Sequence, residues 1–113
     1  MSAENFASAY GALLVIQCIH SVEELFTGFH RQWYLFRMPF WVFLVFEIAF
    51  LSFWATVWMH PAFPARDLLM RTFSFLMFVN GIQHVVWAVV IKKYVPGLIT
   101  APLFLAVFVW YYI

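Results

Sequence analysis

Residues 40–59 read FWVFLVFEIAFLSFWATVWM, a stretch whose only ionisable side chain is Glu47. An α-helix of about 20 such residues crosses the hydrocarbon core of a bilayer, so the segment predicts a transmembrane helix. Three more apolar stretches flank it, at 7–28, 70–91 and 98–113. Together they predict the fold class: all-α, an integral membrane bundle of four short transmembrane helices forming one domain over 1–113. The last stretch is the shortest, and Trp110-Tyr111-Tyr112 near its end suits the interfacial level of a bilayer.

Composition points the same way. Apolar residues make up 66% of the chain and charged ones 10%, a balance that a soluble domain of this size cannot hide from water. The net charge is +1 and no run of like charges forms a basic patch, which excludes a nucleic-acid partner. Cys18 is the only cysteine; it allows no internal disulfide and no paired thiolate metal site, and reads as a small packing residue. Met1 to Tyr10 lacks the basic start of a secretory signal, and Leu14-Val15-Ile16-Gln17-Cys18 is not a lipoprotein cleavage box, so the first span is expected to be retained.

All six basic residues fall in the expected connections: Arg31 and Arg37, Arg66 and Arg71, Lys92 and Lys93. Loops one and three share a side and hold four of them. The positive-inside rule then puts those loops in the cytoplasm and both termini outside, in a bacterial plasma membrane.

The polar residues inside the spans carry the functional reading. His20, Glu23 and Glu24 stand at i, i+3 and i+4 on one helical face, extended by Gln17, Thr27 and Arg31. A carboxylate facing lipid costs at least ~2.5 kcal/mol, so this stripe is expected to face the bundle interior. The third span repeats the device with Asn80 and His84 at i and i+4, with Gln83 beside them, and the second span adds Glu47. At a rise of ~1.5 Å per residue, His20 lies about 12 Å from the side of loops one and three, Glu24 about 6 Å, and Glu47 and His84 about 10 Å each. The four occupy one slab of the membrane.

Three ionised carboxylates in one slab need compensation: shared protons, Arg31 reaching back, or a cation. A divalent metal meets the need most directly. Imidazole and carboxylate donors suit zinc, iron or manganese, and helical bundles hold one or two such ions between Glu and His side chains. The expected ligands are His20, Glu23, Glu24, Glu47 and His84, with Asn80 and Gln17 as supporting hydrogen bonders. Alternatively, these groups pair with one another and only lock helix packing. His30 and His60 stand at span ends and read as interfacial. Tyr94-Val95-Pro96-Gly97 predicts a tight turn into the fourth span, on the same side as the polar layer, where Tyr94 or Thr100 can offer a hydroxyl to the site.

Three motifs thus coincide: His20-Ser21-Val22-Glu23-Glu24, Asn80-x-x-x-His84 and Tyr94-x-Pro96-Gly97. In order and spacing the chain resembles the HXXEE-motif family of small prokaryotic membrane proteins. The resemblance implies a membrane protein of undefined biochemical role with metal-dependent activity, and it carries over to His20, Glu23, Glu24, Asn80, His84, Tyr94, Pro96 and Gly97; Glu47 rests on the depth argument instead. The site is also similar in kind to that of the CAAX-type intramembrane proteases, whose glutamate pair is followed by an arginine at a spacing not found here.

The leading expectation is a metal-dependent membrane enzyme, hydrolytic or oxidative, acting on a hydrophobic or lipidic substrate. In a hydrolytic version one of Glu23 and Glu24 ligates while the other takes a proton from water, with Tyr94 as a further catalytic group. The alternative is a non-enzymatic small membrane subunit, or an ion- or proton-handling protein, using the same layer. Four short helices leave little room for site and substrate together, so homo-oligomerisation suits either reading.

Overall fold

The structure, a computed structural model, describes residues 3–113, with side chains from residue 5 onward. The reading of the N-terminal stretch as a retained span rests partly on Met1 and Ser2, which lie outside the described residues. Five helices and no strand occur among the described residues: α1 (Ala3–Thr27), α2 (Phe29–Gln32), α3 (Phe40–Met59), α4 (Arg66–Ile91) and α5 (Ala101–Tyr112). Of these α1, α3 and α4 are long and apolar enough to cross a membrane.

Local chemistry sets the boundaries. Gly28 in the left-handed region (φ 85°) stops α1, and the single turn α2 follows before a bent connection, in which Met38 N–H bonds the His30 carbonyl (3.0 Å), leads to Pro39 at the start of α3. Helix α3 has the bounds expected from sequence and ends before Pro61. Helix α4 begins four residues earlier than the apolar stretch, so Arg66 and Arg71 lie in its first turns rather than in a loop. Arg66 donates from Nε to the Val57 carbonyl (2.8 Å) and from Nη2 to that of Trp58 (2.7 Å), satisfying carbonyls that the end of α3 leaves open. The fourth apolar stretch forms only the 12-residue α5, because residues 98–100 are drawn into the turn after Pro96-Gly97, where Leu98 N–H bonds the Val95 carbonyl (3.1 Å).

Two apolar clusters bracket a polar layer. Tyr10, Leu13, Trp54, Val57, Met70 and Phe73 belong to one; Phe29, Phe43, Trp87 and Val95 form the other. Along α1, α3 and α4 alike, Gln17 to Glu24, Glu47, and Asn80 to His84 fall between them. The outside is greasy, with Phe26 86% and Val90 71% exposed, the inverse of a water-soluble bundle and suited to lipid. Polar pins hold the helices together: Tyr10 donates its hydroxyl to the Trp54 carbonyl of α3 (2.7 Å). Gly81 lets α4 approach α5 so closely that a Cβ there would stand 2.9 Å from the Ala101 carbonyl oxygen.

Candidate metal centre in the polar layer

The i, i+4 spacing of His20 and Glu24 brings both side chains to one face of α1, and His84 of α4 meets them there. His20 and His84 are fully buried and Glu24 nearly so. His20 Nε2 lies 3.2 Å from His84 Nε2 and 3.5 Å from Glu24 Oε2, and His84 Nε2 lies 3.3 Å from the same oxygen. An ion bound at ~2.0–2.2 Å in tetrahedral coordination separates its ligand atoms by about 3.3–3.6 Å. The triangle therefore already has the edges that such an ion requires, and these three residues form a group able to hold a metal ion.

The proton inventory supports the same use. His20 Nδ1 is 2.6 Å from Thr100 Oγ1, and that hydroxyl has a single proton. Glu23 Oε1 at 2.8 Å is a far better acceptor for it than the Gly97 carbonyl at 3.3 Å, so Thr100 donates to Glu23 and accepts from the His20 Nδ1–H. The Nε2 of His20 is then a lone pair aimed at the triangle. Asn80 agrees, with its Nδ2 3.4 Å from His20 Nε2. The amide is oriented in turn by Gln83 (Nε2 to Asn80 Oδ1, 3.0 Å), which accepts from the Tyr34 hydroxyl (2.8 Å). A ligand histidine whose second ring nitrogen is tied through a hydroxyl to a carboxylate is a recurrent supporting arrangement of metal sites.

His84 is held differently. Its Nδ1 is buried without a partner among the described residues, and the ring is fixed by packing against Phe29 and Trp87. Gly97 completes that packing: at φ 94° its missing Cβ would stand 2.6 Å from Cε1 of both imidazoles.

The two adjacent glutamates diverge. Glu23 turns away from the triangle into the turn before α5 and accepts from the Tyr94 hydroxyl, from the backbone N–H groups of Gly97, Ile99 and Thr100 (3.1, 3.1 and 3.0 Å), and from the Thr100 hydroxyl. The Tyr94 hydroxyl is thus committed to Glu23; partial burial and that carboxylate push the phenol above its usual range. Glu47 lies in the same layer but outside the triangle: its Oε2 accepts from Ser21 (2.5 Å), whose own oxygen accepts from Gln17 Nε2 (3.2 Å). Of the residues singled out in the sequence, His20, Glu24 and His84 come together as a potential ligand set, Asn80 stands beside it, and Glu23, Tyr94, Glu47 and Gln17 have other partners. Ser21 escaped the sequence reading, although it lies at i+4 from Gln17 on the same face.

A cavity of about 490 Å³ opens against this layer, within the ~300–1,000 Å³ usual for small-molecule sites. Its walls are mainly apolar, with Phe29, Trp33, Phe43, Phe50 and Met77 among them, and Gln17, Glu24, Glu47, Asn80 and Gln83 supply the polar atoms. Phe36, Phe46 and Leu76 line it too and are themselves exposed, so the rim is apolar.

Thr100→Val is expected to weaken binding of zinc about 10–100-fold, the usual loss on removing a supporting partner of a ligand, while Thr100→Ser retains it. Competition with a chromophoric chelator at fixed pH reads both. Equal affinity in the two variants would show that the hydroxyl does not set the His20 tautomer.

Residues 12–112 match the family described as "protein of unknown function with HXXEE motif". No curated protein and no solved structure matches the chain.

Proposed function

The chain belongs to the HXXEE-motif family, and from that premise we propose that it is a metal-dependent integral membrane enzyme, hydrolytic or oxidative, acting on a hydrophobic or lipidic substrate. The observation that carries the proposal is the triangle of His20 Nε2, His84 Nε2 and Glu24 Oε2, with separations of 3.2–3.5 Å. Two neutral imidazoles and one carboxylate suit zinc, iron or manganese. Three protein ligands leave a coordination position for chemistry, where such an ion polarises a substrate oxygen or acidifies water.

The chain's own residues divide the work. His20, His84 and Glu24 hold the ion; Thr100 and Glu23 keep the His20 proton on Nδ1; Asn80 orients from the side; and Glu47, held by Ser21, lines the cavity as the carboxylate outside the ligand set, able to accept or return a proton. Glu23 and Tyr94, on this reading, position rather than react. The apolar cavity and its apolar rim favour an organic substrate arriving from the bilayer over passage of ions, which separates this reading from an ion-handling subunit.

The architecture proposed around the site is one membrane-embedded domain in which α5 makes a short fourth crossing, with loops one and three on the cytoplasmic side of a bacterial plasma membrane. A second copy of the chain extends the thin bundle.

Protein purified without nickel affinity is expected to carry about one equivalent of a single transition metal per chain, read by elemental analysis. His84→Ala, and His20→Ala independently, are expected to lower it below about a tenth. Wild-type protein that folds, stays metal-free and takes up none of zinc, iron or manganese would overturn the proposal and leave structural pairing of the three side chains.

A further inference from the structure

The part of the cavity wall formed by Gln17 and Glu47 has polar chemistry of its own, and its hydrogen bonds do not close. Gln17 is 4% exposed. Its Nε2 donates one N–H to Ser21 Oγ, and Ser21 donates to Glu47 Oε2, so this chain of bonds runs toward the carboxylate. Two acceptors stay open: Gln17 Oε1 is buried and has no partner among the described residues, and Glu47 accepts from Ser21 through one of its two oxygens. Gln17 and Glu47 both line the cavity. Buried carbonyl oxygens are seldom left unpaired, and one on a residue that lines a space large enough for a small molecule is a place for a donor to bind.

We infer that Gln17 and Glu47 form a subsite for a hydrogen-bond donor, and that the molecule entering this cavity is an amphiphile with an apolar body and a hydroxyl or amino group. The inference rests on the reading that the cavity holds substrate, and it is independent of the metal. The residues select against other lipid chemistries. A carboxylate or phosphate head would meet Glu24 and Glu47 with no lysine or arginine lining the cavity. A head with acceptors only, such as an ether, would leave Gln17 Oε1 unpaired, and sites built to receive a donor reject analogues lacking it. The apolar walls supplied by Phe43, Phe50 and Met77 match a hydrocarbon body.

The test compares 1-decanol, decylamine and decyl methyl ether at matched mole fractions in phosphatidylcholine nanodiscs containing the full chain. Binding is read as the rise in unfolding midpoint with probe content. Decanol and decylamine are expected to act at about 10-fold lower mole fraction than the ether, the worth of one hydrogen bond to a charged or buried acceptor. A further advantage of the amine over the alcohol would assign the recognition to the Glu47 charge, and equality would assign it to hydrogen bonding. Gln17→Leu is expected to remove most of the preference. His84→Ala, which breaks the ligand triangle, is expected to keep it, so a missing metal and a missing subsite give different results. Equal potency of alcohol and ether in wild-type protein, or an undiminished preference in Gln17→Leu, would overturn the inference; the first comparison needs no variant to fold.

Discussion

Gly97→Ala is expected to disable the site with one methyl group, and Gly28→Ala is the variant that shows why. Both glycines sit at positive φ, 94° and 85°, where a Cβ costs roughly 1–2 kcal/mol through its clash with the backbone. At Gly28 the atoms nearest the new Cβ are those of the Arg31 guanidinium, the far end of a flexible chain that can swing away, so its loss of stability is expected to stay near the backbone cost. At Gly97 the Cβ stands 2.6 Å from Cε1 of His20 and of His84, and both rings are pinned. His20 is tied to Thr100 and His84 is packed on Phe29 and Trp87. Overpacking of a rigid site adds about 1–3 kcal/mol or more. Gly97→Ala should therefore lose about 2–5 kcal/mol in total and push the two Nε2 atoms apart, with metal content falling below about a tenth of wild type. Denaturant unfolding in detergent beside elemental analysis reads both effects. Equal losses in the two variants would mean that Gly97 serves only the turn and not the imidazoles.

Much of this was legible in the residues, and the limits have physical causes. The bounds of α3 followed from twenty residues flanked by proline on either side, because lipid solvation makes hydrophobic length itself the signal. Helical spacing and rise were enough to bring His20, Glu24 and His84 to one level. Rise fixes height and not azimuth, however. Glu47 does share the layer, but the angle at which α3 presents it to α1 points it at Ser21. The division of labour between Glu23 and Glu24 was equally closed to sequence, since both lie on the stripe that begins with His20. It is decided by where the turn before α5 folds back, a contact between residues more than seventy positions apart. The early start of α4 was hidden because Arg66 and Asp67 read as loop residues until the Arg66 bonds to the end of α3 are seen.

The two neighbouring glutamates should accordingly fail in opposite ways. Glu24 is buried, with the neutral imidazole nitrogens of His84 and His20 3.3 and 3.5 Å from its Oε2. Glu24→Gln keeps the shape and removes a buried carboxylate charge that, without an ion, faces only neutral imidazoles, and an uncompensated buried charge is costly. Metal is expected to fall below about a tenth of wild type while the metal-free unfolding midpoint holds or rises. Glu23 instead gathers the Tyr94 and Thr100 hydroxyls and three backbone N–H groups from the turn that carries α5. Glu23→Gln turns one acceptor into a donor facing donors, and each buried group left unpaired costs about 1–3 kcal/mol. A loss of roughly 2–4 kcal/mol is expected for Glu23→Gln, and more than about 4 for Glu23→Ala, because partial exposure lets water replace some of the bonds but not those to the buried Gly97 and Thr100. Metal affinity should drop with them, as the His20 tautomer loses its anchor, but by the 10–100-fold of a supporting residue. The reverse pattern, with Glu23→Gln stable and empty and Glu24→Gln unstable and loaded, would exchange the two roles: Glu23 would be the ligand, and the turn would have to release it to bind.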